Sequence, residues 1–188
     1  LTHAIEAYVS TACSPIVDVH ALAAIRLVMG NLDAAVAAPG DLPARENMML
    51  ASLQAGLAFS NASLGAVHAL AHSAGGFLDL PHGECNALLL EHVVRFNLPA
   101  APERYRQIAE AMGVDTRGME AKTIAERITQ SITDLRQRVG IHDGLGARGV
   151  RSADLSELAR HAIRDACVVT NPCRVSRADV EVIYGDAL

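Results

Sequence analysis

His68 and His72 stand four apart in Gly65-Ala66-Val67-His68-Ala69-Leu70-Ala71-His72, and His82 follows in Leu80-Pro81-His82-Gly83 after the pair Gly75-Gly76. On a helix, residues four apart project from one face, and a reversal after the glycines could return His82 to it. Imidazole is the commonest protein metal ligand and titrates near neutrality without perturbation. A single histidine on an apolar helix is usually a hydrogen-bonded core or surface residue, and His20, His92, His142 and His161 are read that way. Three together are different, because burying three rings without partners for their nitrogens would cost roughly a few kcal/mol. The trio therefore points to a metal or catalytic centre. Zinc proteases also space two histidines by four but need Glu after the first; Ala69 stands there, which argues against that chemistry. Spacing alone nominates His68 and His72 as the ligand pair and leaves open whether one is instead a proton relay.

The elements that must position these rings read almost entirely as helices. Val17 to Ala37 is Ala-, Leu- and Val-rich, with Pro15 before it and Pro39-Gly40 after it. A second helix begins near Pro43 and runs to about Phe59. The histidine helix is predicted from Leu64 to Ser73, ended by Gly75 and Gly76. Helices follow over Cys85–Asn97, closed by Pro99, then Glu103–Met112 before Gly113, and Met119–Val139 before Gly140. Ser152-Ala153-Asp154 suits the start of a helix through Val168. Asn171-Pro172 breaks it, and Ser176 with Asp179 forms a capping box for a final helix. Only Cys167-Val168-Val169-Thr170 hints at strand. Gly144-x-Gly146-x-x-Gly149 has dinucleotide-site spacing but no strand before it, and is read as a loop. The fold class expected is all-α.

The bulk numbers narrow the partners. A hydrophobic share of 51% marks a folded segment rather than a disordered one. A net charge of −5 without a basic stripe argues against nucleic acid. No stretch holds 18 uninterrupted apolar residues, so no membrane span is expected. There is no secretory signal, and Cys13, Cys85, Cys167 and Cys173 form no CxxC pair, which suits reduced thiols in a cytoplasmic protein. The opening Leu1-Thr2-His3-Ala4-Ile5 carries helical spacing at once, and is read as a longer protein cut inside a helix.

Several of these motifs together resemble one family. Gly56-Leu57-Ala58-Phe59-Ser60-Asn61, Gly65-x-x-His68-x-x-x-His72, Gly75-Gly76 and Pro81-His82-Gly83-x-x-Asn86-Ala87 resemble the iron-containing (group III) alcohol dehydrogenases. The opening Leu1 to Tyr8 and the closing Asn171-Pro172 with its short helix resemble the same family, over essentially all 188 residues. The resemblance implies a multi-helix bundle like the C-terminal domain of the dehydroquinate synthase-like fold, spanning residues 1–188 as the metal-binding domain. The family's N-terminal α/β dinucleotide domain is absent from this chain.

Carried over position by position, the resemblance makes His3, His68 and His82 metal ligands. His72 becomes the catalytic histidine that faces nicotinamide and substrate without binding metal. Phe59 and Cys167 match substrate-pocket positions, although each would also suit plain packing. Cys85, three residues after His82, is not expected to bind metal. The family's fourth ligand, an Asp four residues before the first ligand histidine, would fall before Leu1. The implied activity is oxidation of a small primary alcohol, or reduction of the aldehyde. Fe²⁺ (zinc could replace it) would polarise the substrate oxygen, and NAD or NADP would be held by the missing domain. A homodimer is expected, and the isolated segment should be inactive. Other readings are a zinc glycerol-dehydrogenase-like relative, a metal-free maleylacetate-reductase-like relative, and a non-catalytic helical assembly module.

Overall fold

A computed structural model describes residues 1–188. It contains nine α-helices joined by turns and short 3₁₀ segments, with no strand. They are α1 (Thr2–Val9), α2 (Pro15–Ala37), α3 (Leu42–Ala62), α4 (Ala66–Leu78), α5 (His82–Asn97), α6 (Pro102–Ala111), α7 (Ala121–Arg138), α8 (Leu155–Ala162) and α9 (Arg177–Asp186). The helix ends follow local chemistry. Ser14 caps α2 ahead of Pro15, Asp41 caps α3 through the Ala44 N–H, and Ser176 closes a capping box with Asp179 on α9.

Two expected boundaries are corrected. Gly75 and Gly76 lie inside α4, which continues to Leu78 and ends at Asp79 in the left-handed conformation. A Cβ on Gly75 would sit 3.3 Å from the Leu80 carbonyl oxygen and 3.7 Å from Cys85 Sγ. That glycine permits close approach of the returning chain rather than ending the helix. The helix expected through Val168 stops at Ala162, and a separate 3₁₀ segment runs from Ala166 to Thr170. Asp165 caps that segment by accepting the Cys167 N–H, so Cys167 sits in a tight turn and not in a helix.

One continuous core joins these helices. α4 and α5 form an antiparallel pair at its centre, with α1, α7, α8 and α9 packed around them. Leu70, Leu89 and Leu90 are almost wholly buried there, and the Tyr184 hydroxyl of α9 donates to the Leu70 carbonyl at 2.6 Å. The α2–α3 hairpin packs on α1 along its Ala-rich side. By length and composition α2 is apolar enough to cross a membrane, a feature the test of uninterrupted apolar residues passes over. Here it flanks the domain core: Val17, Ala21, Ala24 and Ile25 are buried, while Asp18 pairs with Arg104 of α6 and Asp33 with Arg138 of α7.

Candidate metal centre

The three elements carrying the histidines meet near the start of α1. His3 comes from the first turn of α1, His68 from the first turn of α4, and His82 opens α5 after the reversal at Asp79–Pro81. One ring nitrogen from each of His3, His68 and His82 lies within 4.8 Å of the others. Nε2 of His3 and Nε2 of His68 are 3.2 Å apart. Ligand atoms around a cation with bonds of about 2.1 Å stand roughly 3.0–3.4 Å apart, so this spacing is that of two ligands facing one ion. His68 is only 1% exposed, whereas His82 is open to solvent.

Two of the rings, His3 and His82, are biased toward the neutral form that metal binding requires. Burial, and then the neighbouring His68, push His3 down to about 4. Burial, followed by His68 and His72, also lowers His82. Behind the rings stand groups that sequence reasoning missed. The buried carboxylate of Glu6 accepts the backbone N–H of Val67 at 2.7 Å and of His68 at 3.3 Å through Oε1, while Oε2 accepts from His68 Nδ1. Asn171 Oδ1 accepts the Ala66 N–H at 3.1 Å and an Asn97 amide N–H at 2.9 Å. Asn86 reaches His82 Nε2 through its amide nitrogen at 2.9 Å, and its own oxygen is buried without a partner.

His72 is placed differently. Its ring stacks on that of His82, with centroids 5.2 Å apart, and its Nδ1 lies 2.8 Å from Asp165 Oδ2. Burial alone would raise the Asp165 carboxyl, but hydrogen bonds from the Cys167 N–H and from His72 outweigh it and hold the group below the usual carboxylate range. His72 and Asp165 line a cleft of about 410 Å³ with Phe77, His161 and Arg164. Cys167 stands beside the same pair, its thiol pushed up to about 12 by burial and then by Asp165, so it is a protonated wall rather than a nucleophile. Phe59 lies on the other side, its ring centroid 4.7 Å from that of His3, and lines a second cleft with it. The site residues nominated from sequence thus gather in one region. His72 stacks on His82 while directing Nδ1 to the Asp165 carboxylate, and Cys85 is buried in the core beneath Gly75.

Residues 1–188 match the model of the Fe-containing alcohol dehydrogenase family, C-terminal. The chain belongs to that family. It is similar to 1,3-propanediol dehydrogenase of Klebsiella pneumoniae, with 46% identity over 187 residues that cover 100% of this chain and 48% of the relative. It is 39% identical over 188 residues to the NAD-dependent methanol dehydrogenase of Bacillus methanolicus, covering 100% of this chain and 49% of that one. Among solved structures it superposes on the crystal structure of a 1,3-propanediol oxidoreductase with a TM-score of 0.97 and 44% identity, covering 100% of this chain and 49% of that one. The chain spans about half the length of the iron-containing alcohol dehydrogenases it matches. The donor set fits the family's metal: three imidazole nitrogens converge, and the Nδ1 of His68 is already engaged, leaving its Nε2 toward the others.

Proposed function

We propose that this chain is the metal-binding half of an NAD(P)-dependent alcohol dehydrogenase that interconverts a small primary alcohol and its aldehyde. The observation that carries the reading is the convergence of His3, His68 and His82 within 4.8 Å, in a chain whose relatives include a 1,3-propanediol dehydrogenase and an NAD-dependent methanol dehydrogenase. In this reading His3, His68 and His82 would hold the metal, Fe²⁺ with zinc as the substitute, and the chemistry it would supply there is Lewis acidity toward the substrate oxygen.

The remaining work falls to the chain's own side chains. His72, with Nδ1 directed at Asp165, keeps a second nitrogen to take up the alcohol proton and pass it to solvent, to which the ring is 44% exposed. Phe59 and Cys167 bound the space beside the metal with an apolar ring and an un-ionised thiol, which suits a short alcohol. NAD or NADP would be held outside this chain, as no strand is available to carry a dinucleotide fingerprint.

We further read the protein as a cytoplasmic homo-oligomer, most simply a dimer. The four unpaired cysteines support the reducing compartment. The exposed apolar side chains of one hairpin, Ile16, Val19, Leu42, Met49 and Leu53, support a subunit contact. The test is the full-length protein with Fe²⁺, NAD and a panel of short primary alcohols. Replacing His82 by Ala is expected to abolish turnover and metal retention together. Full activity in the metal-free variant would overturn the reading.

A further inference from the structure

Glu6 is a buried carboxylate that no catalytic step uses, and it lies 3% exposed between two other elements. The N-cap position of α4 is Gly65, which supplies no side-chain cap. The first-turn N–H groups of α4 are instead satisfied from afar: Ala66 by Asn171, and Val67 and His68 by Oε1 of Glu6. The second oxygen of Glu6 then meets His68 Nδ1. Glu6 already serves as acceptor for two backbone N–H groups through Oε1, and a carboxylate oxygen only accepts, so the proton between Oε2 and His68 belongs to Nδ1. A neutral imidazole protonated on Nδ1 carries its lone pair on Nε2. That is the nitrogen facing His3 Nε2 across 3.2 Å.

We propose that Glu6 is the positioning residue of the metal centre. Through one oxygen it fixes the start of α4, and through the other it fixes the tautomer of His68, so that Nε2 is presented to the cation as a lone pair. The inference rests on the metal reading above.

Replacement by glutamine separates this role from simple capping. In Glu6→Gln, the amide oxygen must stay on the Val67 and His68 N–H groups, because the amide nitrogen cannot accept from them. The NH₂ then faces His68 Nδ1 and requires it to accept, which moves the ring proton to Nε2 and into the mouth of the site. The helix keeps its cap while the ligand loses its lone pair.

The test uses full-length protein, with Fe²⁺ (anaerobic) and Zn²⁺ as probes in competition with a chelator of known affinity. Glu6→Gln is expected to retain the wild-type circular dichroism spectrum and to bind either ion about 10- to 100-fold more weakly. Unchanged affinity in that variant overturns the proposal. Neutron diffraction from crystals of the unsubstituted protein is the second measurement and needs no variant: deuterium on His68 Nδ1 is expected, and deuterium on Nε2 alone overturns it. His82→Ala is the control. Wild-type protein that binds neither ion, or His82→Ala that binds as wild type does, sinks the metal reading and this inference with it. Loss of binding in His82→Ala beside full binding in Glu6→Gln sinks this inference alone.

Discussion

At the scale of single residues, two histidines four apart on one helix are distinguished by what lies behind them. His68 backs onto Glu6 and turns its free nitrogen inward, while His72 backs onto Asp165 and turns toward a solvent-open cleft. Geometry on the helix could not separate them, since both rings share a face. The carboxylates do. Asp165→Asn keeps the shape of the group but removes the charge that favours an Nδ1–H on His72. We expect kcat to fall by at least about 10-fold, within the roughly 10²- to 10⁴-fold that positioned acid–base groups supply. Metal content should be unchanged, because Asp165 touches none of the three converging rings. Steady-state kinetics paired with metal analysis checks both halves.

At the scale of elements, α4 is the piece on which the site depends, and both of its ends are set by contacts made elsewhere. At its start, a Cβ on Gly65 would stand 2.9 Å from Asn171 Oδ1 and 3.1 Å from Glu6 Oε1, the two oxygens that cap the helix. Gly65→Ala should therefore push both caps off the first-turn N–H groups and cost about 1–3 kcal/mol of stability, the penalty for leaving buried donors unpaired. Urea denaturation reads the loss, and metal affinity should drop in parallel because Glu6 is displaced. At the other end, the Gly75-Gly76 pair looks like punctuation in the sequence but continues as helix, and the missing side chain of Gly75 admits the chain returning toward Cys85. The Ser176–Asp179 box was legible because both partners lie within one turn. The end of α8 was not, since Asp165 caps a 3₁₀ turn held in place by packing against α4 and by hydrogen bonds of Thr170 to Leu64 and Thr11, all distant in sequence.

At the scale of the whole molecule, the site is assembled from His3 and Glu6 near one end of the chain, His68 and His82 in its middle, and Asn171 near the other end. The packing of α4 against α5 in the shared core holds His68 and His82 beside each other. Leu89 of α5 is completely buried in the shared core, and Leu89→Ala is expected to cost about 2–5 kcal/mol in chemical denaturation, through lost burial and the cavity left behind. The exposed apolar stripe Met49, Leu53 and Leu57 on α3 lies outside that core and is available to an assembly without disturbing it.

Local order along the chain is written into its residues. The apolar spacing sets the helices, Ser and Asp caps start several of them, and the number and kinds of histidine announce a metal-type centre, because each of these effects acts over a turn or two of backbone. Which nitrogen of which histidine is turned toward the other rings is not local. It depends on carboxylates and amides delivered from sequence-distant segments, and on a glycine-lined approach that brings α5 back beside α4. Burial in that shared core gives those distant groups one arrangement, and the tertiary structure alone decided it.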